Sequence, residues 1–205
     1  MKPHHTRMQL KIKRALDIFA GCILLVVLLP IWVIVAIIVK ATSRGPVFYI
    51  QARPGLDGVL FRVYKFRTME LGSDTMVKGV EVMVNDPRVT SIGRLLRRTK
   101  LDELPQLYNV IRGEMSLVGP RPERIESLDD YTDRIRRRLS IRPGLTGLAQ
   151  VSGNIHLPLQ SRYELDLIYV DNFSLLLDAK ILIRTVGVLV YGEEKYVNRP
   201  IRPLF

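Results

Sequence analysis

The 205-residue chain has one cysteine, Cys22, and three histidines, His4, His5 and His156. A single thiol excludes an intramolecular disulfide and any cysteine-based zinc cluster. The histidines lack metal-ligand spacing, which argues against a zinc site. No Walker A loop and no Rossmann GxGxxG is present. There is no internal repeat and no low-complexity tract. Negative charge is scarce: 20 acidic residues face 31 lysines and arginines, for a net charge of +11. That surplus favours a polyanionic partner, whether nucleic acid, anionic lipid or a phosphorylated substrate, and composition does not choose among them. The length suits one sizeable domain plus an appendage.

The appendage is N-terminal. Ile18 to Val39 is a run of 22 residues without a charge, long enough for a bilayer-spanning helix. A signal peptide would have a shorter apolar core and a small-residue cleavage site. Lys2, Arg7, Lys11, Lys13 and Arg14 precede the run, and Lys40, Arg44 and Arg53 follow it. Positive residues mark the cytoplasmic side, and here both flanks are positive. Pro30 lies slightly past the middle, where it removes a backbone donor and kinks a helix. A helix that bends at Pro30 and exits on the face it entered satisfies both features. A straight span with Pro30 as a tolerated kink is the alternative.

Beyond residue 40 the pattern is that of a folded domain. Val47–Gln51 and Val59–Lys65 are β-rich runs around the turn residues PGLDG, which predicts a hairpin. Residues 70–90 lack a clear period and read as loop or short helix. Ile92, Leu95, Leu96 and Thr99 share a helical face. In LDELPQLYNVIRG, Leu104, Leu107, Tyr108 and Ile111 form a helical stripe. Pro105 then belongs to the first turn, Asp102 near the N-cap and Gly113 just past the C-terminus. GEMSLVGPRPE reads as a short strand and a stiff turn in which two prolines pre-position Arg121. Arg142 to Gly147 reads as a Gly/Pro-rich loop, and the last third as helical, with an apolar stretch over 175–190 suited to the core or to a membrane surface.

The adjacent carboxylates Asp102 and Glu103 stand out in so basic a chain. They could simply cap the helix and offset its dipole. Arg97, Arg98, Lys100 and Arg121 surround them in sequence, which instead suggests a phosphate site with carboxylates available for a divalent cation. A phosphohydrolase would use the same groups. A non-catalytic basic module on a membrane or nucleic acid would explain the charge, but not the clustering of Asp102, Glu103 and Arg121.

The segments KRALDI, GPVFYIQARPG, YKFRTM, LRRTKLDELPQLYNVIRGEMSLVGPRPE, RPGLTGLAQVSG and NFSLLLDAKILIRTV together resemble the small monotopic phosphoglycosyl transferases of the bacterial sugar transferase family, over nearly the whole chain. The resemblance implies an α+β fold. Residues 1–40 would form a basic N-terminus and a re-entrant membrane helix broken at Pro30. Residues 41–205 would form a mostly helical catalytic domain with a short β-hairpin and amphipathic membrane-surface helices, on the cytoplasmic face of the bacterial inner membrane. It implies transfer of a sugar-1-phosphate from a UDP-sugar to polyprenyl phosphate, initiating surface glycan synthesis. Asp102 would attack the sugar-bearing phosphate, expel UMP and form a covalent intermediate that the lipid phosphate resolves.

Mg²⁺ is the implied cofactor, with Asp102 and Glu103 as its ligands. Lys65, Arg67, Arg121 and Arg142 match the family's basic positions and are the candidates for substrate contacts. Anionic lipids are expected partners and nucleic acid is not, while a homodimer is left open. One departure is Leu29 before Pro30, where several members carry a serine whose hydroxyl can satisfy a backbone group freed by the kink.

Overall fold

The computed structural model describes residues 7–73, 86–197, 199 and 201. The flanking residues Lys2, His4 and His5, and most of the stretch expected as loop or short helix, lie outside that set. Among the described residues the fold is mostly helical, with two small sheets and one long apolar N-terminal helix. The helices are α1 Arg7–Thr42, α2 Ser91–Thr99, α3 Gln106–Arg112, α4 Asp133–Arg136, α5 Leu159–Asp171 and α6 Leu175–Tyr191. The strands are β1 Phe48–Pro54, β2 Leu60–Phe66, β3 Ser116–Val118 and β4 Gly144–Thr146. β1 and β2 form the expected antiparallel hairpin, in register from Phe48 opposite Phe66 to Pro54 opposite Leu60.

The helix α1 has 36 residues and includes Pro30 without interruption. At 1.5 Å per residue it is about 54 Å long. One stripe along it faces the rest of the chain: Lys13, Asp17, Gly21, Leu25, Leu28, Trp32, Val35 and Val39 are buried or packed against core clusters. The three- and four-residue spacing of that stripe is one face of a helix. Near its N-terminus, buried Lys13 pairs with Asp178 at 2.6 Å, Asp17 accepts from the Leu117 amide, and Arg14 donates to the carbonyls of Val110 and Ile111. Past Pro30, Trp32 packs on Phe48 and Phe66 with ring centroids 5.5 and 5.6 Å away. Both halves of α1 therefore dock on the same domain. The remaining faces expose Phe19, Val26, Val27, Ile34 and Ile37.

Within the Gly/Pro-rich segment expected as a loop, Gly144–Thr146 is a strand. β4 pairs in parallel with β3, Ser116 opposite Gly144 and Val118 opposite Thr146. Its glycines bring backbone onto backbone rather than onto a ligand. A Cβ on Gly144 would come 2.1 Å from the Gly119 nitrogen, and one on Gly147 would come 2.1 Å from the Gly119 oxygen. The main core lies around this pair, with Leu107 and Val110 of α3, Phe61 and Val63 of β2, Tyr169 and Val170 of α5, and Leu177 and Ile181 of α6. α6 buries that face and exposes Leu176, Ile183, Val186 and Val190 on the other, so the 175–190 stretch serves the core on one side only.

Candidate active site

Asp102 lies in a 3-10 turn, Leu101–Glu103, and not at the N-cap of α3. Pro105 holds the position before Gln106, and neither helix start has a side-chain cap. The turn is entered through Lys100 at φ 58, a left-handed backbone that non-glycine residues seldom adopt and that costs free energy to hold. Asp102 is 7% exposed, and its Oδ1 has no hydrogen-bond partner. A cap would have used that oxygen on a free helix N–H, so capping does not account for the residue.

Glu103 is clamped instead. Its Oε1 accepts from Lys65 Nζ at 2.7 Å and from Arg121 Nη2 at 3.3 Å. Strand alternation puts Lys65 there: Phe61 and Val63 are buried four and two residues earlier, so Lys65 emerges on the core-facing side of β2. Buried Asn109 fixes β2 to α3, its side chain donating to Arg62 O and accepting from the Tyr64 amide. Arg121 is positioned by the turn around it. Gly144 N donates to Pro120 O, and Arg138 Nη2 donates to Arg121 O at 3.1 Å. Arg138 is itself buried, bonded to Asp166 Oδ2 at 2.5 and 2.9 Å and to the Tyr131 hydroxyl at 2.5 Å, with its guanidinium 4.4 Å from the Tyr163 ring centroid.

The electrostatics separate the two carboxylates. Burial, and then the charge of Glu103, push Asp102 above the usual aspartate range, while Lys65, Arg97 and Lys100 pull the other way. Burial would raise Glu103 too, but Lys65, Arg121 and Lys100 more than offset it and hold Glu103 well below its ordinary value. Lys65 is itself lowered by burial. One carboxylate is thus neutralised by fixed cations. The other is desolvated, with an oxygen unengaged, the state in which a carboxylate is most basic and most reactive.

Of the residues singled out from the sequence, Lys65 and Arg121 converge on the Asp-Glu pair and Arg97 adds to the field at Asp102. Arg67 instead donates to the backbone oxygen and hydroxyl of Ser43, just beyond α1. Arg142 donates to Gly113 O at the far end of α3. Glu193, which the sequence did not single out, joins the site: its Oε1 pairs with Lys100 Nζ at 2.7 Å and accepts from Asn154 Nδ2 at 2.8 Å. It is some ninety residues from the Asp-Glu pair and sits in no recognisable motif, so nothing in the sequence pointed to it.

Among the described residues no three His, Cys, Asp or Glu side chains gather as a metal cage. Mg²⁺ does not require one, since it is bound by one or two carboxylates together with substrate phosphates and water. The unengaged Oδ1 of Asp102 beside Glu103 fits that arrangement.

The chain is similar to known proteins over most of its length. The bacterial sugar transferase family profile matches residues 8–192. A UDP-glucose:undecaprenyl-phosphate glucose-1-phosphate transferase of Caulobacter vibrioides is 41% identical over 196 residues, covering 90% of this chain and 72% of that protein. The exopolysaccharide production protein PSS of Rhizobium leguminosarum is 41% identical over 190 residues, covering 87% and 95%. A UDP-glucose:undecaprenyl-phosphate glucose-1-phosphate transferase of Klebsiella pneumoniae is 41% identical over 182 residues, 85% of this chain but 39% of that longer protein. With the profile running from the start of α1 to the end of α6, and the Asp-Glu pair set among cations inside it, the chain belongs to the bacterial sugar transferase family.

Proposed function

We propose that the chain transfers a sugar-1-phosphate from a UDP-sugar to polyprenyl phosphate through a covalent intermediate on Asp102, as the first step of surface glycan synthesis. The observation that carries this reading is the asymmetry of the pair: Glu103 is clamped by Lys65 and Arg121, while Asp102 is buried with a free oxygen. Relatives named as UDP-glucose:undecaprenyl-phosphate transferases support the substrate class.

In the first half-reaction an Asp102 oxygen bonds to the sugar-bearing phosphorus, and the phosphorus–oxygen bond to UMP breaks. Lys65, Arg97, Lys100 and Arg121 balance the charge of the diphosphate, since phosphoryl transfer depends chiefly on positioning and charge neutralisation. In the second half-reaction an oxygen of the lipid phosphate bonds to the same phosphorus, and the acyl phosphate bond breaks to free Asp102. The acyl phosphate is comparable in energy to the diphosphates on either side, so neither half-step is steep. When bound, Mg²⁺ offsets the repulsion between the carboxylates and the anionic donor, and Asp102 and Glu103 are the residues that would hold it. Glu103 orients Lys65 and Arg121 in either case.

The anchor is monotopic in this account. α1 docks on the domain both before and after Pro30, which supports an anchor whose two positive flanks lie on one membrane face, the cytoplasmic one. Its lipid-facing sides and the outer face of α6 hold Asp102 at headgroup depth, where lipid phosphate meets a soluble nucleotide sugar. The test is UMP release by the detergent-solubilised protein from a panel of UDP-sugars, with and without undecaprenyl phosphate and Mg²⁺. Lipid- and Mg²⁺-dependent release, with the sugar phosphate recovered on the lipid, is expected. Release of the sugar phosphate to water, at the same rate without lipid, would identify a hydrolase instead.

A further inference from the structure

Residues Gln150–Ser152 and Asn154–His156 form consecutive 3-10 turns joined at Gly153. Gln150, Ser152 and Asn154 are 6%, 2% and 1% exposed. Both amide atoms of Gln150, the Ser152 hydroxyl and Asn154 Oδ1 have no hydrogen-bond partner. A buried polar group left unpaired costs about 1–3 kcal/mol, and native interiors keep few of them. Such a concentration within five residues is more than the fold itself requires. Asn154 is also held at φ 47, a further cost at the same place.

The segment borders the reaction centre on two sides. Asn154 Nδ2 and Lys100 Nζ share Glu193 Oε1, and Lys100 acts on Asp102. On the other side Gln150 Oε1 lies 2.8 Å from where a Cβ on Gly147 would stand, and Gly147 packs on the carbonyl of Gly119, which leads into the Pro120–Arg121–Pro122 turn.

The chemistry of these groups does not suit phosphate. Lys100 of the site is here already paired with Glu193, and that carboxylate would repel a diphosphate. Two amides, a hydroxyl and a carboxylate instead match hydroxyl groups, each of which donates one hydrogen bond and accepts others. The sugar is bonded to the phosphorus that Asp102 attacks, and it stays there after UMP has left. We propose that Gln150, Ser152 and Asn154, with Glu193, read the hydroxyls of the donor's sugar and set the enzyme's choice among UDP-sugars. This rests on the transferase reading above. Ribose hydroxyls of the nucleoside offer the same chemistry, so the test separates the two.

Gln150→Leu and Ser152→Ala remove unpaired groups with little change in shape. For each, three quantities are measured: kcat/KM for UDP-glucose, UDP-galactose and UDP-N-acetylglucosamine with undecaprenyl phosphate, inhibition by UMP, and thermal unfolding. The expected result is an unfolding temperature unchanged or raised, UMP inhibition unchanged, and sugar preference altered by about tenfold or more, because a site built to bond a hydroxyl discriminates strongly against its absence or misplacement. An equal loss on all three sugars overturns the proposal, as does a wild type without preference. Weakened UMP inhibition assigns the groups to the nucleoside and overturns it too. Should Gln150→Leu fail to fold, Ser152→Ala and Gln150→Glu carry the same comparison. A wild type that releases no UMP from any UDP-sugar defeats the transferase reading. An active wild type with preference unmoved in the variants defeats this inference alone.

Discussion

Arg138 offers the sharpest test of how the site is held. It is 2% exposed, its partner Asp166 is fully buried, and it ties that carboxylate to the Arg121 carbonyl. Arg138→Met leaves Asp166 buried without its cation. Breaking a buried pair from one side costs about 3–5 kcal/mol, whereas replacing both partners by apolar groups is often neutral. Arg138→Met should therefore lose stability of that order, and Arg138→Met with Asp166→Leu should recover most of it. Activity should not recover, because Arg121 has still lost the donor that fixes its backbone.

The pH dependence has a definite sign. Burial already raises Asp166 to about 6 with Arg138 in place, and removing Arg138 raises it further. A carboxyl whose folded pKa lies above its unfolded value binds its proton more tightly when folded, so stability is lost as pH rises between the two values. The single variant should approach wild-type stability near pH 5 and fall away by pH 8, while the double variant should not. Denaturant unfolding at several pH values and UMP release at one would measure both effects. Two results would refute the reasoning: a single variant within about 1 kcal/mol of wild type at pH 8, or a double variant with full activity.

Three further outcomes follow from the geometry. The acid limb of kcat/KM should lie above the ordinary aspartate value of about 3.9, because burial and Glu103 raise the nucleophile; a limb at or below it would remove Asp102 from that role. Gly144→Ala should cost several kcal/mol, since its Cβ would stand 2.1 Å from backbone that must pair with β4; a chemical denaturation curve matching wild type would contradict that strand pairing. With Cys22 replaced by Ala, cysteines at Lys11 and Thr42 should react with an impermeant reagent from the same side of the membrane, and labelling from opposite sides would contradict the monotopic anchor.

Local signals in the sequence carried much of this structure. The β-rich runs on either side of PGLDG announced β1 and β2, and the stripe through Leu107 and Ile111 announced α3. β4 was missed because its three residues, Gly144, Leu145 and Thr146, are too few to show a period, and glycines in a strand resemble a turn. The docking stripe of α1 was hidden inside a run that is apolar on every face. At the site, Asp102 and Glu103 were legible as a motif, but their difference was not. It comes from Lys65 of β2 and Arg121 of the turn after β3 both clamping Glu103, and Glu193 likewise reaches Lys100 from far along the chain. Arg67 and Arg142 show the converse: their segments are conspicuous in the sequence, yet their guanidinium groups are bonded to Ser43 and Gly113.

The most direct test of the central claim is to trap the intermediate. The purified protein, given a UDP-sugar and Mg²⁺ without lipid acceptor, should release UMP in an amount near one per protein chain and then stop. Mass spectrometry of its peptides should place a sugar phosphate on Asp102, lost again when undecaprenyl phosphate is added. Asp102→Asn should keep its fold and show neither burst nor adduct, because an amide cannot form the acyl phosphate. A UMP burst from Asp102→Asn, or an adduct mapped to any other residue, would contradict the account.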